Sequence, residues 1–205
     1  MVAKAVAIAA LLTLSVTGLV MDGHKDKDSG EKASEVVNAQ AEPSVQKPDS
    51  QVKRLLRAFD GTWSITDELA PDTSSPKGKT GTGTIVWHPG PGGFSVIEEF
   101  RSKQGEVEVT GLGAFWWDEL ANGFHTIWCD STNPGGCIDF KNTARWDGSN
   151  LVLQEDYEAH GKKYTFKEVF GDITANSFTQ TLYGGESGGL LKVDETIHAK
   201  RRTSS

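Results

Sequence analysis

The chain has 205 residues, 37% of them hydrophobic, and a formal net charge of −7 at pH 7. An acidic composition without a basic stripe argues against nucleic acid and anionic membranes as partners; the one basic cluster is the terminal Lys200-Arg201-Arg202. No Cys-x-x-Cys, phosphate loop, dinucleotide fingerprint or His-x-x-x-His helix is present, and Ser187 in "GGESGG" lies in a loop without the strand-to-helix frame a nucleophile elbow needs, so no catalytic residue, metal ligand or cofactor is assigned.

Residues 1–21 carry a single Lys4, no acid, and an apolar run from Ala5 to Met21. That is the plan of a secretory signal peptide. No Ala-x-Ala closes the apolar run, and Val16-Thr17-Gly18 is the nearest small-residue substitute there. Cleavage is expected over retention as an anchor, which would be short for a bilayer core of roughly 30 Å, and membrane contact is expected only if this segment stays uncleaved. The protein is read as periplasmic or secreted. Residues 22–49 are charged and lack large apolar groups, so they cannot bury enough surface to offset their ordering entropy and read as a linker.

Every aromatic residue lies between Phe59 and Tyr183, which places the packed core in a single domain over 50–202. "SQVKRLLRAF" opens it with Val52, Leu55, Leu56 and Phe59 at helical spacing and Ser50 as the expected N-cap, a helix suited to plugging one end of a barrel. Ten β-type runs then alternate with turn signals: 59–69, 81–88, 94–103, 106–118, 123–130, 137–147, 150–159, 162–173, 177–184 and 190–200. Breaks such as "PGPGG", "ELANG", "DGSN" and "GGESGG" are short enough to join antiparallel neighbours. The expected fold is all-β: a single antiparallel up-and-down barrel of about ten strands with one short N-terminal helix.

The strand "VEVTGLGAFWWD" is apolar on both parities, so either Trp116 or Trp117 must leave the interior. If the row Leu112, Ala114, Trp116 faces out, it offers a surface for a homodimer or an envelope partner. Gly111 and Gly113 in the same strand read as points of sharp bending at a barrel corner. The two cysteines, Cys129 and Cys137, flank the turn-forming "STNPGG". In an exported protein a nearby pair is expected to form a disulfide, and Asp130 beside Cys129 would oppose a reactive thiolate.

"GTW" at Gly61-Thr62-Trp63 resembles the Gly-x-Trp motif that opens the first strand of lipocalins, where a basic residue of the last strand covers the tryptophan. The resemblance implies Trp63 under Arg201 or Arg202. From Phe59 to Arg202 the chain resembles a bacterial, often secreted, family classed as a domain of unknown function with a lipocalin-like, calycin-type barrel. The likeness rests on "GTW", "GTGTIVWHPGPGGFSVIEEF", "GLGAFWWD", "TIWCDS" and "VDETIHAKR". That family has no established catalytic residues to carry over. Haem-binding nitrobindin-type barrels place an axial histidine near His198, but "GTWSITD" departs from their longer glycine-rich entry.

A barrel this wide leaves room for a small, largely apolar or amphipathic guest. With Cys129 outward, Trp128, Thr126 and Phe124 point in and Asp130 sits at the rim; Phe100, Phe115, Trp117, Trp128, Tyr157 and Tyr164 are the expected ligand wall. Glu98 shares parity with Phe100, and Glu155 with Tyr157, so either can enter the barrel, where it would need a partner such as Arg145 or Lys167 or hold its proton. Most other carboxylates read as solvated outer-face charge. The expected activity is ligand binding; a barrel enzyme using an internal carboxylate is the alternative.

Overall fold

The computed structural model describes residues 49–72 and 75–203. The leader expected at 1–21 and the linker expected at 22–49, save Asp49, lie outside the described residues.

Helix α1 (Ser50–Phe59) turns Val52, Leu55 and Phe59 onto the core. Its N-cap is Asp49, not Ser50: the Asp49 carboxylate accepts the Gln51 backbone N–H at 2.6 Å, while the Ser50 hydroxyl only reaches back to Asp49. The stronger acceptor takes the orphan amide at the helix start. Further along the helix Arg54 donates to the Gly148 carbonyl at 2.9 Å and lies over the Trp146 ring at 3.9 Å, fixing the helix to the sheet.

The strands are β1 (Gly61–Leu69), β2 (Lys79–Pro89), β3 (Ser95–Gln104), β4 (Val107–Asp118), β5 (Gly123–Asp130), β6 (Cys137–Asp139), β7 (Arg145–Asp147), β8 (Asn150–Ala159), β9 (Lys162–Gly171), β10 (Ser177–Glu186) and β11 (Lys192–Arg201). Among the described residues they form one antiparallel sheet in the order β6-β5-β4-β3-β2-β1-β11-β10-β9-β8-β7. The sheet curls, because its two edge strands are successive in the chain and between them Ala144 exchanges both backbone hydrogen bonds with Phe124 of β5, each at 2.8 Å. The fold is thus the lipocalin-like β-barrel the motifs implied.

One expected strand, 137–147, is in fact broken into β6 and β7. Its first half pairs with β5 and its second with β8, so the chain must swerve between them, and Glu155 accepts the backbone N–H groups of Lys141 (2.6 Å) and Asn142 (3.1 Å) that the swerve releases.

The two ends differ. At the helix end Phe59 stacks on Trp87 at 4.9 Å and meets Phe170 and Phe178 edge-on, while Trp63 meets Phe178 at 4.8 Å; all are buried. Trp63 donates its indole N–H to the Phe59 carbonyl at 2.7 Å, and the Arg201 guanidinium lies 4.0 Å from the Trp63 ring centroid. Gly61, at φ 117°, passes under that guanidinium, where any side chain would collide with it. At the opposite end, the mouth, lie the β1–β2 loop and the hairpin between β5 and β6. A disulfide joins Cys129 to Cys137, with Cα atoms 4.0 Å apart. No helix among the described residues is long and apolar enough to cross a membrane.

Candidate functional site

Above the aromatic plug, toward the mouth, a cavity of about 220 Å³ opens inside the sheet. By the same measure a single water needs roughly 10–15 Å³, so the space is of molecular size. Its apolar wall is built by strand alternation. Phe100 meets Trp128 edge-on at 5.9 Å, Phe140 stacks on Phe166 at 5.6 Å, and Phe115 forms the floor against Trp87.

Phe100, Phe115 and Trp128 of the expected ligand wall therefore line the cavity together. Trp117, Tyr157 and Tyr164 do not. Trp117 packs against Phe124 at 5.1 Å near the helix end, and Tyr157 and Tyr164 stack on each other at 5.7 Å near the β8–β9 turn. Parity turned these rings inward, but each lies at a different height along the barrel from the cavity. Trp116 is the tryptophan that leaves the interior, stacking on His125 at 5.3 Å; Leu112 in the same row is 44% exposed.

Gly111 and Gly113 make room for side chains. A Cβ on Gly111 would run into the Trp128 ring, and one on Gly113 would crowd the Glu98 carboxyl. Trp128 is held flat there by Asp130, which accepts its indole N–H at 2.9 Å through one oxygen. The other Asp130 oxygen gathers the Thr132 N–H and hydroxyl and the Asn133 N–H, at 2.7, 2.6 and 2.9 Å, which shapes the disulfide-closed loop.

The remaining wall is acidic. Asp67 and Glu98 are fully buried, and Glu168 and Glu195, half-buried, line the cavity with them. Asp67 Oδ2 accepts from Ser102 Oγ (2.8 Å) and Gln104 Nε2 (2.6 Å), and Glu168 Oε1 accepts from Gln180 Nε2 (2.7 Å). Glu195 lies close enough to Asp67 for that neighbouring carboxylate to favour its protonated form. Burial pushes Glu168 up to about 7, against the Gln180 hydrogen bond that lowers it. Glu98 is raised well above the usual range by burial and then by Glu168; Glu195 is raised by burial and by Asp67. Neither expected cation meets these groups. Arg145 bonds the Ala121 carbonyl outside, and Lys167, on the parity opposite to Phe166 and Glu168, is turned away from the cavity they line.

Glu98 is legible from its parity with Phe100, whereas sequence reasoning missed Asp67, Glu168, Gln180 and Glu195. Their signal is present: Asp67 follows Ile65 by two, Glu168 lies between Phe166 and Phe170, and Glu195 precedes Ile197 by two. Charge alone suggested the outer face. His198 is exposed on the outer side of β11, so no haem ligand is offered there. Among the described residues no cluster of His, Cys, Asp and Glu has the makings of a metal centre.

The chain is similar to Rv2717c from M. tuberculosis, with a TM-score of 0.51 at 10% identity over 77% of this chain and 100% of that one. It is also similar to the S-type phycobiliprotein lyase CPES from Guillardia theta (TM-score 0.49, 9% identity, 75% and 94%) and to the redesigned β-barrel mFAP1, solved bound to DFHBI (TM-score 0.37, 14% identity, 71% and 99%). At 10% identity the likeness to Rv2717c is one of fold. No family model matches the chain, and no curated protein matches it.

Proposed function

We propose that this is an exported binding protein, periplasmic or secreted, that holds a small, largely apolar or amphipathic molecule in the barrel. The observation that carries the reading is the cavity of about 220 Å³ walled by Phe100, Phe115, Trp128, Phe140 and Phe166. A tightly packed core leaves no void of that size, and an apolar concavity with a few convergent polar groups is the usual form of a small-molecule site. Export is supported by the apolar leader at 1–21 and by the Cys129–Cys137 disulfide, which belongs to an oxidising compartment. Native mass spectrometry of the exported protein, with tryptophan fluorescence during titration of aromatic and aliphatic compounds, tests the proposal. Retained or added ligand that shifts the emission supports it; a saturating panel that moves neither emission nor melting temperature overturns it.

Two other readings have an observation each. Glu168, titrating at about 7 inside the chamber, favours acid–base catalysis on a bound guest, and product formation from that guest would establish it. The outward row of Leu112, Ala114 and Trp116 favours a homodimer, which sedimentation at high concentration reads directly.

A further inference from the structure

We propose that the guest is an organic cation: an amine whose apolar or aromatic body fills the cavity and whose ammonium group is received by Asp67, Glu98, Glu168 and Glu195. This rests on the binding reading above and adds the chemical class of the ligand.

Asp67, Glu98, Glu168 and Glu195 converge from β1, β3, β9 and β11 on one space, yet among the described residues no lysine or arginine is buried with them. The one cation at the wall, Lys79, is exposed at the mouth, where Asp72 and Asp130 also lie. Asp130 is already saturated by Trp128 and its own loop. The chamber therefore carries an excess of carboxyl groups that the protein itself does not neutralise, except by holding protons.

Unmet hydrogen-bonding groups point the same way. Glu98 is 1% exposed and its Oε1 has no donor; Gln180 is 5% exposed and its Oε1 has none; Thr126 Oγ1 is also unpartnered. Asp67 Oδ1 has no donor either. Every unmet buried side-chain atom on the cavity wall is thus an oxygen that can accept, and a buried acceptor left alone is destabilising. An ammonium brings up to three donors and no acceptor, so it can satisfy as many as three of these oxygens while its charge replaces protons. The aromatic faces of Phe100, Trp128 and Phe166 favour the same guest, because a ring attracts a cation to its negative face. A fatty acid or other anion would meet like charge and a wall of acceptors.

Binding is coupled to protons. Glu168 holds its proton up to about pH 7, with Glu98 and Glu195 raised beside it and Gln180 as its neutral partner. Besides these, the charged groups facing the chamber are Asp67 and, at the mouth, Asp72, Lys79 and Asp130. An entering ammonium displaces protons from the carboxyls, so its affinity rises as pH rises through 7 and protons are released to the buffer.

The test titrates the intact protein with 4-phenylbutylamine, 4-phenylbutanol and 4-phenylbutyrate, by calorimetry and tryptophan fluorescence, at about pH 6 and about pH 8.5. The amine is expected to bind roughly tenfold or more tighter than the alcohol at the higher pH, with the acid weakest. Amine affinity should fall toward the lower pH while the alcohol's stays flat. In Glu168→Gln with Glu195→Gln the preference for amine over alcohol should shrink while alcohol binding persists, which also shows the variant is folded. If the alcohol or the acid matches or exceeds the amine in the unaltered protein, the cation proposal is wrong and the binding reading stands. If none of the three binds, the cation proposal also fails, and a panel of larger uncharged compounds decides the binding reading separately.

Discussion

Gly111 of β4 and Trp128 of β5 are diagonal neighbours on the inner face of the sheet, and the indole lies over the glycine with no space for a methyl group between them. Gly111→Ala should push the indole off its seat and break its 2.9 Å hydrogen bond to Asp130. Overpacking of this kind costs about 1–3 kcal/mol. The expected outcome is a lower denaturation midpoint, altered tryptophan emission and weaker ligand binding; an unchanged emission maximum would show that Trp128 does not depend on Gly111.

Trp63 and Arg201 hold the opposite end. Arg201 donates to the Ala175 carbonyl at 2.6 Å and to the Asp60 carbonyl as well as covering the indole, so Arg201→Ala loses packing and hydrogen bonds together. A loss of about 1–3 kcal/mol is expected by urea titration, with Arg201→Lys intermediate because a point charge cannot reach both carbonyls. Ligand binding, at the mouth end, should be unaltered.

The disulfide closes a short loop at the mouth, between residues eight apart in sequence. On the chain-entropy model its removal by Cys129→Ser with Cys137→Ser should cost about 2.5 kcal/mol. The loop also carries Thr132, which lines the cavity, so binding should weaken along with stability. Equal melting temperatures for the oxidised and reduced protein would refute the structural role.

Stability should fall with rising pH through the neutral range. Burial raises Glu168 from an ordinary 4.5 to about 7, so the folded state binds the proton more tightly than the unfolded one. The stabilisation is complete below 4.5 and is lost as pH climbs through 7, on the order of 3 kcal/mol for this residue; Glu98 and Glu195, also raised, act with the same sign. The urea midpoint should be higher at about pH 5 than at about pH 8, and Glu168→Gln should flatten that dependence and raise stability at the alkaline end. A profile that rises with pH would contradict the burial of these carboxyls.

Much of this architecture is written in local chemistry. Alternation of Val96, Glu98 and Phe100, or of Leu151 and Leu153, tells each strand which side to bury; Gly, Asn and Pro clusters mark where it must turn; short turns leave antiparallel neighbours as the only pairing. The disulfide is expected from the spacing of the two cysteines about a turn, on the premise of export, and the resemblance of Gly61-Thr62-Trp63 and the terminal arginines to lipocalins points to the plugged end. Asp49 in place of Ser50 as the cap, and the swerve that divides residues 137–147 into β6 and β7, turn on which acceptor and which neighbour is nearest in space.

By itself the sequence determined which residues of a strand share a face, because a strand has a period of two and a curled sheet has one interior, although charge concealed the inward turn of Asp67, Glu168 and Glu195. Only the tertiary structure decided height and company: that Trp117 packs with Phe124 away from the cavity while Phe140 and Phe166 join Trp128, and that Asp67, Glu98, Glu168 and Glu195 meet in one space. Strand parity carries no information about which distant strand lies across the barrel. The energy of a buried carboxyl is set by those distant neighbours, so the chemistry of the chamber arises only when the sheet closes around it.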